Sequence, residues 1–339
     1  MGKISSIILI IVLMTSVVLS GCSDRDNQTQ VLTIYAGLYE DHAIKAIEAF
    51  EKETGIKVNF TRLSGGEILR RIREEKENPQ ASVWFGGPVD TFIHAKQEEL
   101  LMPYYSENRK FIDDIYKDEE GHWTGIYAGS LAIVSNRTWL QQKGLPVPQS
   151  WEELLQSDYT GMIAMPNPTT SGTGYTFLAT MVQLLGEEEA YDYLEKMHKQ
   201  TGLYTTSGST SGRLVGMRDL GVAILFAHDA VKFFKEGFND IVISFPKEGT
   251  GYEIGAVAII NNAPELEAAQ KFVDWTLTKH AQEMGKQVGN YHILTNSDAV
   301  SPLEAFPLSE LNVVNYDHEW AGVHRQRLLE RWKNDIFRK

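Results

Sequence analysis

The sequence predicts an α/β protein of two lobes, on three observations. Residues 31–87 alternate short β-rich runs with helical patterns, the order that builds a parallel sheet covered by helices. At 339 residues the chain is long for a single hydrophobic core. A turn-free apolar run at 125–136 separates the first α/β unit from a second one and reads as a strand crossing between lobes.

The elements follow in order. "VLTIYAG" (31–37) is a strand, and "HAIKAIEAFEKETG" carries Ile44, Ile47 and Phe50 at helical spacing before Gly55 ends it. "IKVNFTRL" (56–63) is the next strand, "GEILRRIREE" a helix with Ile68, Leu69 and Ile72 inward, and "ASVWFGG" (81–87) a third strand. After the crossing strand, Ser150 and Glu153 in "QSWEELL" form a capping-box pattern for a helix. Strand "MIAMP", a helix from the 170s to Gly186, a helix near 187–199, "STSGRLVGMRDLG" and strand "VAILFAHD" (222–229) come next. "EIGAVAII" (253–260) is a strand, and Pro264 opens a long amphipathic helix to Gly285. The last helix, "WAGVHRQRLLERWKNDI", has Val323, Leu328 and Trp332 among its apolar positions.

The chain begins with a charged tip and a short apolar run, Ile7 to Leu19, too short for a comfortable membrane span. Leu19-Ser20-Gly21-Cys22 resembles a bacterial lipobox, which makes residues 1–21 a lipoprotein signal peptide and Cys22 the lipidated anchor in the bilayer. Residues 22–30 are polar and unpatterned, as a tether should be. Cys22 is the single cysteine, so no internal disulfide framework and no multi-thiolate zinc site can form. The formal net charge of −13 argues against a general nucleic-acid surface, whose affinity comes from basic stripes over phosphates. A small anion is not excluded, because local backbone dipoles override net charge.

Three stretches, "LSGGEILRR" (63–71), "TTSGTGYTFL" (169–178) and "TSGSTSGRLVG" (206–216), put serine and glycine where a helix begins. Exposed N–H groups and half a positive charge there suit a phosphate, phosphonate, sulfate or carboxylate, although plain capping explains one serine apiece. The middle stretch has more donors than capping needs. Its glycines break the dinucleotide fingerprint, and no phosphate-loop lysine follows. His228-Asp229 ends an apolar strand, where α/β folds place ligand residues. The two would face one cleft only at a strand end or turn; they suit a hydroxylated ligand, or they satisfy each other at the surface. Neither H-E-x-x-H nor G-x-S-x-G occurs. Tyr35, Tyr39, Trp84, Phe85, Tyr127 and Tyr175 recur near strand ends as core or cleft-lining aromatics.

"TIYAGLYEDHAIKAIEAFEKETGIKV", "SGGEILRRI", "SVWFGGPVDTF", "MPNPTTSGTGYTFL", "EGTGYEIGAVAII" and "AAQKFVDWTLTKHAQE", in that order and spacing, resemble ABC-transporter solute-binding lipoproteins of the type II periplasmic-binding fold. The similarity is to the branch that holds ferric-iron, phosphonate and hexose-phosphate binders. It implies two α/β lobes joined by two crossing strands, closing on ligand without catalysis. The expected limits are 31–128 plus about 255–300 for lobe 1 and 129–254 plus about 301–339 for lobe 2. Iron binders of the branch use a first-loop histidine and a tyrosine pair at a strand end. Here those positions read Tyr39 and Phe226-Ala227-His228-Asp229, which counts against iron. The resemblance makes Thr170, Ser171, Gly172 and Thr173 the grip on a phosphate, completed by Ser64 and Gly65 from lobe 1. His228, Asp229 and a glutamate, Glu253 or Glu248, would hold the organic part.

The expected protein is therefore a monomeric, cofactor-free and metal-free capture protein for a small phosphorylated anion, serving the permease and ATPase of an ABC importer. Two alternatives keep the fold: a sensor reporting to a membrane histidine kinase, or a ferric-iron binder. A surface phosphatase with His228 as acid–base is a remote third.

Overall fold

A computed structural model describes residues 30–338. The expected signal peptide, Cys22 and the tether up to residue 29 lie outside the described residues. The first unit alternates as expected: β1 (Val31–Ala36), α1 (Glu40–Thr54), β2 (Lys57–Arg62), α2 (Gly65–Glu74) and β3 (Val83–Pro88). Then come α3 (Val89–Gln97), β4 (Leu101–Met102) and β5 (Thr124–Asn136), followed by α4 (Arg137–Lys143), β6 (Ile163–Pro166), α5 (Gly172–Leu185) and α6 (Glu187–Gln200). β7 (Thr201–Thr205), α7 (Gly208–Gly216), β8 (Val222–Phe226), α8 (Ala227–Lys235), β9 (Ile241–Ser244) and β10 (Tyr252–Ile260) continue the chain. It ends with α9 (Leu266–Thr276), α10 (Lys279–Glu283), β11 (Ile293–Leu294) and α11 (His318–Trp332).

Strands bond in the order β2-β1-β3-β10-β5-β8-β6-β7, with β4 on β10 and with β9 and β11 on β5. β1 is parallel to β2 and β3, and β6 is parallel to β7 and β8. Between these parallel sets, β5 and β10 run antiparallel to each other and to their neighbours. β5 changes partners midway: Thr124 to Ser130 pair with β10, Leu131 to Ser135 with β8. The return strand stays beside it, because Leu131 N donates to Gly251 O at 2.9 Å. These are the two crossing strands. One apolar core gathers Leu32, Ile34, Phe50, Val257 and Phe272, and another Trp151, Phe177, Met181, Leu194 and Trp332.

Several local expectations are corrected. The Ser150–Glu153 pattern opens only a 3₁₀ turn, Glu152–Leu155, because the Ser150 hydroxyl is drawn to Glu248. The long helix after Pro264 stops at Thr276. Thr278 then caps a new short helix by accepting from Ala281 N at 3.2 Å. Ile44 and Val323 face solvent, at 41% and 42% exposure, whereas Ile47, Phe50, Leu328 and Trp332 are buried. Strand β8 ends at Phe226, so His228 and Asp229 lie in the first turn of α8. α11 packs on both halves: Gly322 meets Ile93 of α3, while the Ala321 carbonyl accepts from the Tyr175 hydroxyl of α5.

Candidate functional site

Six strands, β1, β2, β3, β6, β7 and β8, each lead through a short turn into a helix. The residues that cap those helices, Tyr39, Ser64, Pro88, Ser171, Ser207 and Phe226, all line one cavity of about 60 Å³. Ligands of open α/β sheets bind beyond the carboxyl ends of parallel strands, and here two such sheets aim their ends at the same space. Each helix contributes unpaired N–H groups and about half a positive charge. These helix ends favour an anion in the cavity although the chain as a whole is acidic. By the usual measure of roughly 10–15 Å³ per water, the volume holds a few water molecules. A larger ligand requires the walls to part.

Ser64, Ser171 and Ser207 cap their helices and also line the cavity. Ser64 closes a capping box with Glu67, whose carboxylate accepts from Ser64 N at 2.9 Å. Ser171 accepts from Gly174 N at 3.3 Å and Ser207 from Thr210 N at 3.4 Å. Thr173 lines the cavity and is 8% exposed. Gly65 and Gly172 line it too. A Cβ on Gly172 would lie 2.7 Å from Pro88 Cδ, so the backbones come close here because glycine permits it. Thr170 is placed elsewhere: its hydroxyl donates to Thr206 O at 3.4 Å, and it faces an outer groove beside Gly66 and Arg325.

His228, Asp229 and Glu253 meet in the same cavity. His228 Nε2 is 3.3 Å from Asp229 Oδ1 and 3.5 Å from Glu253 Oε1. The helical first turn, not a strand end, is what brings His228 and Asp229 to one side. Gly129 makes room, since a Cβ there would sit 2.2 Å from His228 Nδ1. Burial pushes the Glu253 carboxyl well above the usual carboxylate range, and Asp229 and Asp90 add to it, which favours its protonated form. Glu248 bonds to Ser150 instead, away from the cavity.

Tyr39 is lifted above the ordinary phenol range by burial and by Asp229, and among the described residues its buried hydroxyl has no hydrogen-bond partner, nor has His228 Nδ1. Such orphans cost about 1–3 kcal/mol each when left unpaired. Tyr127 is the other cavity aromatic, its hydroxyl accepting from Gly87 N at 3.2 Å. Tyr35, Trp84, Phe85 and Tyr175 are core.

Two ionisable lining residues escaped the sequence reading. Arg62 ends β2 and its Nε donates to Leu38 O at 3.3 Å. The only signal was an arginine one step before the Leu-Ser-Gly-Gly turn. His292 stacks on Tyr127 with centroids 4.0 Å apart and meets His228 edge-on at 4.2 Å. Burial, then His228 and His42, hold its pKa well below the imidazole range, so it is neutral. Nothing in "NYHILTN" pointed to it.

Contacts tie the walls together. Ser64 Oγ donates to Thr206 O at 3.3 Å, and Lys232 on α8 pairs with Asp41 on α1 at 2.5 Å. At the back, buried Arg325 pairs with buried Asp90 at 3.0 Å, and Thr176 Oγ1 donates to Asp90 at 3.3 Å. Burial lifts the Asp90 carboxyl to about 7 against the opposing pull of Arg325 and Thr176.

Two α/β lobes joined by two crossing strands, with a polar cavity where their strands end, form the architecture of a solute-binding protein. Residues 89–308 match the family described as Bacterial extracellular solute-binding protein. The structure of the periplasmic binding protein AfuA from Actinobacillus pleuropneumoniae, with fructose-6-phosphate bound, is 34% identical. It covers 91% of this chain and 99% of that one, with a TM-score of 0.88. A Haemophilus influenzae protein, named an uncharacterized protein, is 33% identical over 99% of this chain and 98% of its own. The Fe(3+)-binding periplasmic protein of Serratia marcescens is 22% identical over 97% of both chains. The chain belongs to the bacterial extracellular solute-binding proteins, with the type II periplasmic-binding fold.

Proposed function

We propose that this protein captures a small phosphorylated organic anion, a hexose phosphate foremost, and hands it to the permease of an ABC importer. The observation that carries this reading is the convergence of six helix N-termini on a cavity that also holds His228, Asp229 and Glu253. The N-termini suit a phosphate, and the second group suits hydroxyls, with Glu253 donating and Asp229 accepting. Ser64, Gly65, Ser171, Gly172 and Thr173 are assigned to the phosphate, and His228, Asp229, Glu253 and Tyr39 to the organic part. The fructose-6-phosphate bound to AfuA carries both kinds of group, which supports the assignment.

Ferric iron fits less well. Positive helix ends oppose a trivalent cation. Burial raises the pKa of both Tyr39 and Glu253, which disfavours the oxyanions that iron needs. Among the described residues no group of three or more His, Cys, Asp or Glu could hold a metal ion. Binding works through closure: contacts made by both lobes favour the closed form, and several charge-assisted hydrogen bonds supply the bias. Cys22 is assigned the lipid anchor that keeps the protein near its permease.

A thermal-shift series on the full chain tests the reading, with glucose 6-phosphate, 3-phosphoglycerate, 2-aminoethylphosphonate, inorganic phosphate and ferric citrate. A ligand at 100 times its Kd adds about 2.7 kcal/mol of stability. A shift with phosphorylated compounds and none with iron is expected, with no inorganic phosphate released on incubation. A shift with ferric citrate alone defeats the proposal.

A further inference from the structure

Among the described residues lining the cavity, Arg62 is the one strong base; Lys232 lies behind Tyr39, already paired with Asp41 and Glu236. Arg62 ends the edge strand β2, where Arg62 pairs with Ala36 of β1 and the next residue, Leu63, is held by its N–H to Ala36 O at 3.0 Å. Its Nε is tied to the Leu38 carbonyl, which fixes the plane of the guanidinium. Among the described residues, the two Nη groups make no hydrogen bond to protein and no carboxylate lies within 4.0 Å of them.

This arrangement is unusual for an arginine so close to acids. Asp229 and Glu253 line the same cavity, yet neither pairs with Arg62; His228 takes both instead. The field of Arg62 does reach the site, since it opposes the rise of the Tyr39 and Tyr127 phenols. A fork held by one nitrogen, with two donors free beside serine-capped helix ends, is the geometry that takes a tetrahedral oxyanion in bidentate fashion.

Resting on the phosphate reading above, we propose that Arg62 is the residue that selects a dianionic phosphate monoester over a singly charged anion of the same shape. Helix N-termini and hydroxyls stabilise any oxyanion, so alone they separate phosphate from sulfate poorly. A full, unneutralised cation responds to the second negative charge. A phosphate monoester carries about −1.5 to −2 at pH 7, its second pKa being near 6, whereas a sulfate ester carries a single charge. The site therefore excludes neutral sugars through its unpaired cation and disfavours sugar sulfates through charge.

The test compares glucose 6-phosphate, glucose 6-sulfate and glucose by calorimetric titration of the full chain at pH 7.5, in wild type, Arg62→Gln and Arg62→Lys. Wild type is expected to prefer phosphate over sulfate strongly. Arg62→Gln keeps donors without charge and should lower phosphate affinity about 10- to 100-fold, the range for a hydrogen bond to a charged group. Sulfate affinity should fall less, so the phosphate-to-sulfate ratio shrinks by roughly 10-fold, since the lost Coulomb attraction scales with ligand charge. Arg62→Lys should restore most of the ratio at lower affinity, because charge returns without the fork. Arg62 is only half-buried on an edge strand, so both variants should fold, which their melting curves check. If wild type binds the phosphate but Arg62→Gln leaves the ratio unchanged, Arg62 merely braces Leu38 and the proposal is overturned while the phosphate reading stands. If wild type binds no phosphorylated sugar, both fall together.

Discussion

Gly66→Ala turns lobe closure into a measurable quantity. Gly66 is the second residue of α2, and a Cβ on it would lie 2.7 Å from the Thr169 carbonyl oxygen and 2.9 Å from that of Thr170. Both oxygens are backbone, on the loop that leads from β6 into α5 across the cleft. Ordinary contact begins near 3.4 Å, so helix and loop must part by about 0.7 Å. No side chain can swing aside to absorb this. Overpacking of this kind costs about 1–3 kcal/mol, charged here to the closed form alone. Ligand affinity should then fall about 5- to 150-fold. In the open form the same alanine replaces a helical glycine, worth up to about 1 kcal/mol in its favour. Titration with glucose 6-phosphate should therefore show weakened binding, while the ligand-free protein melts no lower than wild type. Small-angle scattering should show incomplete compaction on adding ligand. Unchanged affinity refutes the reasoning, because the two backbones would then not meet in the bound state.

Further outcomes are expected elsewhere. His228→Asn should keep affinity for inorganic phosphate while changing the ranking of glucose 6-phosphate against 3-phosphoglycerate by about 10-fold, as expected for one hydrogen bond to the organic part; equal losses for all ligands would place His228 outside that subsite. Arg325→Met strands Asp90 in the interior and should cost about 3–5 kcal/mol in denaturant melts. Arg325 holds the Asp90 carboxyl down, to about 7 against 3.8 when unfolded, so its loss raises that carboxyl further; the cost should therefore grow as pH rises above 7 and level off below it, where Asp90 is protonated with or without Arg325. His42 is buried on His292, and burial lowers its pKa to about 4 from 6.5. The unfolded chain thus takes up the proton first, and stability drops as pH falls from 6.5 towards 4. His42→Phe should flatten that limb by up to about 3 kcal/mol, read from melting temperature against pH.

Much of the fold was legible because local pattern and burial agree. α1 and α2 bury Ile47, Phe50, Ile68, Leu69 and Ile72 at helical spacing, and the first strands end where glycines stand. Legibility failed where burial was complete or lacking. α3 is buried on nearly all sides, under α2 and α11, so "VDTFIHAKQ" shows no stripe to read. β7 is an edge strand with Gly202 and Leu203 exposed, so it lacks the alternation of a half-buried strand. The capping-box pattern at Ser150 failed for a third reason, since a distant glutamate claimed the serine.

For the site, the sequence by itself determined the parts: serine and glycine at three helix mouths, an adjacent histidine and aspartate after an apolar strand, and an acidic chain unsuited to nucleic acid. These are local facts, since capping and helix dipoles depend on a few neighbouring residues. Only the tertiary structure decided that six helix mouths share one cavity, that Glu253 and not Glu248 reaches His228, and that Thr170 stands outside. It alone also brought in Arg62 and His292, which lie 230 positions apart in the chain. Such meetings depend on how two sheets are aimed at each other, a matter of long-range strand pairing that no short stretch of chain encodes.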